Sequence, residues 1–340
     1  LKPMKKQKII YLFRKKKSLF YSIENVFRSV IDNLPKTNYE PIWINLPEHG
    51  FHPLNFIYIL TLRWRYPDAI FHVTGDCQYA SIFLLGKKSI LTVHDCGSLS
   101  VKGRVKSWII RRLYLQAPVK ATKAITAISD KTAEEIVAIT KTRKKISIIP
   151  NPVTGDLFFS RSVFNRIKPQ MLFLGAAPHK NLNRTISALK GLFCTINIIG
   201  QPDEATLKQL YSSGIDFRLE KNLSDKDLAL RFFHCDIILF PSTYEGFGLP
   251  ILEGFVSGRP VITSDLAPMN RIAGGAACLV DPFSIVSIRE GVLKVIEDAA
   301  YRAELVQKGL EVSKLYDPQV IAGKYRVLYD SLTDDKGKTK

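Results

Sequence analysis

Residues 240–265 read FPSTYEGFGLPILEGFVSGRPVITSD, and the order of residue types in this stretch decides the architecture of the chain. The apolar run DIILF (236–240) stops at Pro241, a glycine-rich segment follows, and a helical period resumes after Pro250. Strand, loop and helix are the expected succession. Pro250 is expected as the first helical residue, where its fixed φ fits and its missing N–H goes unneeded. Glu245 then lies on the loop and Glu253 in the first helical turn. Glycines at 246 and 248 let backbone N–H groups come close to a ligand, and a helix N-terminus favours an anion. A phosphate cradle flanked by two acceptors for hydroxyl groups describes a sugar-nucleotide site. The same glutamates also fit a plainer role, with Glu253 stabilising the helix dipole and Glu245 solvated.

Working outward, short β-rich runs alternate with longer stretches of helical period. KIIYLF (8–13), YEPIWINL (39–46), AIFHVT (69–74), SILTV (89–93), KAITAI (123–128) and KISIIP (145–150) come first. After a linker with two prolines and a glycine, MLFLG (171–175), CTINIIG (194–200), DFRLE (216–220), DIILFPS (236–242), PVITS (260–264) and ACLV (277–280) continue the series. Such alternation predicts βα units around buried parallel sheets, hence two Rossmann-like halves.

Composition narrows the class. The chain has 340 residues, enough for two domains with substantial cores. Its five cysteines stand singly, without CxxC spacing, which argues against a disulfide framework and a zinc site and fits a reducing cytoplasm. No run reaches the roughly 18–20 apolar residues of a membrane span. The net charge of +18 is lopsided: residues 1–150 carry 26 Lys and Arg against 10 Asp and Glu, the remainder 23 against 21. A one-sided basic domain implies an anionic partner such as a phosphorylated small molecule, an acidic membrane leaflet or nucleic acid.

The stretch PS-x-x-EGFGLP-x-LE resembles the E-x7-E signature of retaining GT-B glycosyltransferases of family four, the group 1 glycosyl transferases. AITAISDKTAEEI (124–136), IIPNPVTGDLF (148–158), LGAAPHKNLNRTISAL (174–189) and LTVHDCGSL (91–99) are similar to other segments of that family, in order. The resemblance implies an α/β protein of GT-B fold, two facing Rossmann-like domains with a cleft between them. Residues 1–153 would form the acceptor domain, with a C-terminal helix at 318–333 packing back on it. Residues 154–317 would bind the nucleotide-sugar donor, leaving 334–340 as a disordered tail.

The resemblance also implies roles. Glu245 would contact donor-sugar hydroxyls, Glu253 the ribose, and the N–H groups of Phe247, Gly248 and Leu249 the sugar and diphosphate, beside Gly175. Lys180 would pair with the diphosphate and His94 would reach the sugar from the other domain. Configuration would be retained by attack on the face from which the leaving group departs, with the donor phosphate taking the acceptor proton, so that neither metal nor cofactor is needed. Where the family has arginine after the donor-domain glycine, this chain has Ala176; Arg184, one turn beyond Lys180, is the candidate replacement.

The family's glycine-rich first loop is also missing. Arg14, Lys15, Lys16 and Lys17 stand there, before aromatic residues and Ser22, a candidate helix cap, and could hold a pyrophosphate-linked acceptor or acidic lipid headgroups. KGRVKSWIIRRLYLQ (102–116) interleaves cations with apolar residues, as does a helix lying on a membrane surface and equally one whose apolar face packs on the sheet. The expectation is a cytoplasmic hexosyltransferase, peripheral on the inner membrane face, moving a sugar from a GDP- or UDP-sugar, GDP-mannose in the first place, to a glycan or lipid-linked acceptor. Two alternatives stand beside it: a GT-B-like protein that binds nucleotide or sugar without turnover, and a basic nucleic-acid-binding protein.

Overall fold

A computed structural model describes residues 6–16, 22–97, 104–154 and 157–333. Lys17, the side chain of Ser22 and the tail 334–340 fall outside what it describes. The chain divides into two compact units, Leu1–Pro152 together with Pro318–Lys340, and Val153–Asp317.

In unit 1 the strands are β1 Gln7–Phe13, β2 Tyr39–Asn45, β3 Ile70–Val73, β4 Ser89–Val93, β5 Ala124–Ala127 and β6 Ile146–Ile148. They pair in parallel in the order β2-β1-β3-β4-β5-β6. Between them run α1 Ser22–Asp32, α2 Pro53–Arg65, α3 Arg104–Arg111, α4 Ala117–Ala121 and α5 Asp130–Thr140. Unit 2 repeats the plan with β7 Gln170–Leu174, β8 Thr195–Ile199, β9 Asp216–Glu220, β10 Ile237–Phe240, β11 Val261–Ser264 and β12 Cys278–Val280. Its order is β12-β11-β10-β7-β8-β9, again parallel. The helices are α6 Leu182–Leu189, α7 Glu204–Ser213, α8 Asp225–His234, α9 Leu249–Val256, α10 Met269–Ala273, α11 Ile285–Glu297 and α12 Ala299–Ser313. A last helix, α13 Pro318–Thr333, belongs to unit 1.

The central strands β3, β4, β10 and β11 are buried along their whole length because helices cover both sheet faces, while the edge strands β2, β6 and β9 keep exposed residues. Along β1, Ile10 and Leu12 enter a core closed by α2, α4 and α5, while Ile9, Tyr11 and Phe13 enter a second core closed by α1 and α13. In that second core the Tyr329 hydroxyl lies 3.0 Å from the Tyr11 hydroxyl and 2.8 Å from His72 Nδ1. His72 Nε2 lies 2.7 Å from the Thr92 hydroxyl, which lies 2.7 Å from that of Thr126. Each polar group of this chain of contacts has a partner, which is the condition for burying it cheaply. All five cysteines are buried free thiols.

The topology also says where ligands bind. Strand order reverses direction of growth between β7 and β10 in unit 2 and between β1 and β3 in unit 1. A crevice opens beyond the C-terminal ends of strands at such a switch point.

Candidate functional site

Two loops leave the switch point of unit 2, residues 175–181 after β7 and 241–248 after β10. Gly175 has φ +91, and a side chain there would begin 2.9 Å from Lys180 Cε. Its bareness lets the Lys180 stem fold back over it, out of a single 3-10 turn, Pro178–Lys180. Lys180 Nζ donates to Glu245 Oε1 at 2.7 Å and stands 4.7 Å from the centre of the Phe240 ring. Both side chains are mostly shielded, 19% and 13% exposed, so this pair is far less screened than a surface bridge.

The loops are laced together. Thr243 donates its backbone N–H to the His179 carbonyl at 2.8 Å. The Asn181 amide donates to the carbonyls of Pro241 at 3.0 Å and Pro282 at 2.6 Å. From β11, Thr263 donates to the Phe240 carbonyl and Ser264 to that of Ser242. The buried Ser242 hydroxyl itself has no hydrogen-bond partner among the described residues. Asn181, Thr243 and Ser242 escape a reading of the sequence; the signal for Asn181 is an asparagine immediately before an amphipathic helix, where it adopts φ +69.

Gly248, φ +117, caps α9. The helix begins at Leu249, so Pro250 is its second residue and Glu253 its fifth, in the second turn rather than the first. The expected boundary was one residue late because Gly248 turns the chain before the proline. The Leu249 N–H precedes the first bond of the helix and faces the loop end where an anion would sit, Pro250 has no N–H, and the Ile251 N–H donates to the Gly248 carbonyl at 3.0 Å. Phe247 is buried against Tyr316, ring centres 6.0 Å apart, which fixes the backbone just before this turn. Burial pushes the Glu253 carboxyl up to about 7; Lys180 opposes the rise and Asp225 adds to it. The structure thus groups Gly175, Lys180, Glu245, Phe247, Gly248, Leu249 and Glu253. The Arg184 guanidinium donates to Asn181 Oδ1 of the first loop at 3.1 Å and lies 5.7 Å from the Phe283 ring centre.

In unit 1, His94 follows β4. Its Nε2–H donates to the Thr74 carbonyl at 2.8 Å, and Gly75, φ +136, leaves room for the ring, since a Cβ there would lie 2.7 Å from Cδ2. Burial lowers the pKa of His94, so the ring is neutral and carries its remaining lone pair on Nδ1. Arg14 pairs with Glu24 at 3.4 Å and with Asp76, and Lys15 with Glu48 at 2.9 Å. Two of the four cations in this loop therefore neutralise carboxylates of their own unit. His52 accepts from the Leu54 N–H as the cap of α2. Among the described residues no cluster of three metal-ligating side chains occurs, and no helix is long and apolar enough to cross a membrane.

The family model "Glycosyltransferase Family 4" matches residues 25–156, and the model "Glycosyl transferases group 1" matches residues 156–312. The chain belongs to glycosyltransferase family four. Sequence relatives are recognisable at low identity, and solved structures share the fold. An uncharacterised glycosyltransferase of Methanocaldococcus jannaschii is 24% identical over 72% of this chain and 69% of its own length. An O-antigen chain mannosyltransferase of Salmonella typhimurium is 27% identical over 58% of this chain and 57% of its own. Sucrose-phosphate synthase from Thermosynechococcus elongatus superposes with a TM-score of 0.78, covering 97% of this chain and 100% of that one at 16% identity. The Anabaena protein HepE, solved with UDP and glucose, gives 0.74 over 96% and 100% at 15% identity. The two units are the paired Rossmann-like domains of the GT-B glycosyltransferases.

Proposed function

We propose that this glycosyltransferase moves a hexose, mannose in the first place, from a nucleotide-sugar to a glycan or lipid-linked acceptor, with retention of configuration and without a metal. The observation that carries this reading is the shielded Lys180–Glu245 pair beside the N-terminus of α9, with Glu253 on the same helix. An arriving donor exchanges partners with that pair. Lys180 turns to the diphosphate and Glu245 accepts from sugar hydroxyls, while Glu253 accepts from the ribose. In the transfer step the bond from the anomeric carbon to the phosphate oxygen breaks, and a bond to the acceptor oxygen forms on the same face. The acceptor proton passes to the departing phosphate. Negative charge therefore grows on the diphosphate as the bond breaks, and a fixed cation with aligned N–H groups stabilises that charge more in the transition state than in the ground state. With Ala176 where the family has arginine, Lys180 carries a larger share of this stabilisation.

Mannose is supported by the names of the related O-antigen and phosphatidyl-myo-inositol mannosyltransferases, and a guanine nucleotide by His179-Lys180-Asn181 after the glycine loop. UDP is the nucleotide of the structural neighbour from Anabaena. Acceptors of polysaccharide or glycolipid type and a peripheral position on an anionic membrane complete the proposal. Calorimetric titration of GDP, UDP and their hexose conjugates, with and without chelator, tests it on the wild type and on Lys180→Ala and Glu253→Ala. Micromolar, chelator-insensitive binding of one nucleotide that both substitutions abolish is the expected result. Binding that survives both substitutions removes the donor-site assignment, and binding without turnover on any lipid or glycan acceptor identifies a non-catalytic member of the fold.

A further inference from the structure

One side of the unit 1 sheet carries two helices whose outward faces are apolar. On α2 the inward stripe is Asn55, Ile59 and Leu62. The opposite side bears Ile57, Leu60 and Trp64, the last 88% exposed. On α3, Ile110 packs on the same core while Val105, Trp108 and Ile109 face out, Trp108 at 64% exposure. An aromatic cluster links the two: Phe51, just ahead of α2, meets Tyr79, whose ring centre lies 5.5 Å from that of Tyr114, just beyond α3. Monomeric proteins rarely expose so much apolar surface without something to cover it.

Charge says what covers it. Neither α2 nor residues 105–121 contain an aspartate or glutamate. From the end of α3 the surface runs into a groove of about 620 Å³ between α4 and α5, at the N-terminal ends of β5 and β6 and so opposite the switch point. Arg112, Lys120, Lys141, Arg143 and Lys144 line it, with no carboxylate among the lining residues. Lys144 is a strut: its Nζ donates to the carbonyls of Val119, Lys120 and Thr122 at the end of α4. Among the described residues the other four cations pair with no carboxylate. The ends of α4 and α5 offset about half a charge each, which leaves the groove strongly positive.

We propose that the α2–α3 face is a docking surface for an anionic bilayer, with Ile57, Trp64, Val105 and Trp108 entering the interfacial layer and the basic groove holding lipid headgroup phosphates. A protein partner would match the apolar patch, but nothing in it calls for the adjoining uncompensated charge; an acidic leaflet satisfies both at once. This deepens the peripheral placement proposed above and is independent of the donor site, which lies in unit 2.

Flotation with vesicles of phosphatidylcholine, alone or with phosphatidylglycerol, tests the surface, read together with tryptophan emission. The protein is expected to float with the anionic vesicles only, with blue-shifted emission, and to be released by salt. Trp64→Ser with Trp108→Ser removes two exposed side chains and lowers vesicle affinity tenfold or more. Lys120→Gln with Arg143→Gln lowers it about fivefold per charge. Both double variants keep the wild-type melting temperature and the wild-type nucleotide titration. That titration separates a failure here from a failure of the donor reading. Equal binding to neutral vesicles overturns the proposal. So does wild-type affinity in both variants, a dimer that dissociates on Trp64→Ser, or retention on duplex DNA or pyrophosphate without vesicle binding.

Discussion

Lys180 and Glu245 hold each other in place. The lysine is held near the glutamate by the bareness of Gly175, where a methyl group would meet the lysine stem at 2.9 Å. Lys180→Ala should lower kcat/KM for transfer about 100-fold, the cost of losing one preorganised charge at a developing anion; steady-state kinetics check it. Glu253 links the site to pH. Its carboxyl titrates near 7 in the free protein against 4.5 ordinarily, so below 7 it holds a proton and offers one fewer acceptor to a ribose. Nucleotide affinity should therefore rise between pH 6 and pH 8, by up to about tenfold, and Glu253→Gln should flatten the profile in calorimetry. The stability effect has the opposite sign. A carboxyl whose pKa is raised by folding favours the folded state below its unfolded pKa, and that contribution is lost as pH rises through 7. Glu253→Gln should thus raise the melting temperature relative to wild type more at pH 8 than at pH 5.

At the scale of elements, α9 is set by how closely it lies on the sheet. A Cβ at Gly254 would stand 2.7 Å from Val261 Cγ2 and 2.8 Å from Ile238 Cγ1, so only glycine lets the helix press down on β10 and β11. That contact fixes the height of the neighbouring Glu253. Gly254→Ala should destabilise unit 2 by about 1–3 kcal/mol through overpacking, seen as a lower urea midpoint, and should weaken nucleotide binding even though no ligand group is touched. The basic loop after β1 shows the converse. Its cations look like a binding patch in one dimension, but Glu24, Asp76 and Glu48 come from three other segments to pair with Arg14 and Lys15.

Across the molecule, α13 returns from the far end of the chain to close the core of unit 1. Tyr329 Oη stands between Tyr11 and His72, and Tyr39 Oη bonds to Asp330 on the same helix. Tyr329→Phe leaves His72 Nδ1 and the Tyr11 hydroxyl without this partner in an apolar core and should cost about 1–3 kcal/mol in denaturant titrations. Burial, helped by nearby His94, lowers the His72 pKa to about 3. An unfolded histidine takes up a proton near 6.5 while the folded one does not, so stability should fall as pH drops below 6.5 towards 3. Acid unfolding followed by circular dichroism checks this, and His72→Asn should blunt the dependence.

The sequence alone determined the twelve strands: the central ones because a parallel strand buried on both faces must be continuously apolar, and edge strands such as β9, DFRLE, because they keep their place in the alternation with helices. It also determined the loop that carries Glu245, since glycine and proline punctuate it. The start of α9 was misplaced by one residue, because a left-handed glycine ends a loop in a way that composition does not reveal. What only the tertiary structure decided depends on segments far apart in the chain. Gly175 and Lys180 meet Glu245 across 65 residues, Asn181 ties Pro241 to Pro282, and Arg14 is claimed by carboxylates. The burial that moves Glu253 to about 7 exists only once β10, β11 and α9 have packed, since desolvation belongs to the assembled interior and not to any stretch of sequence.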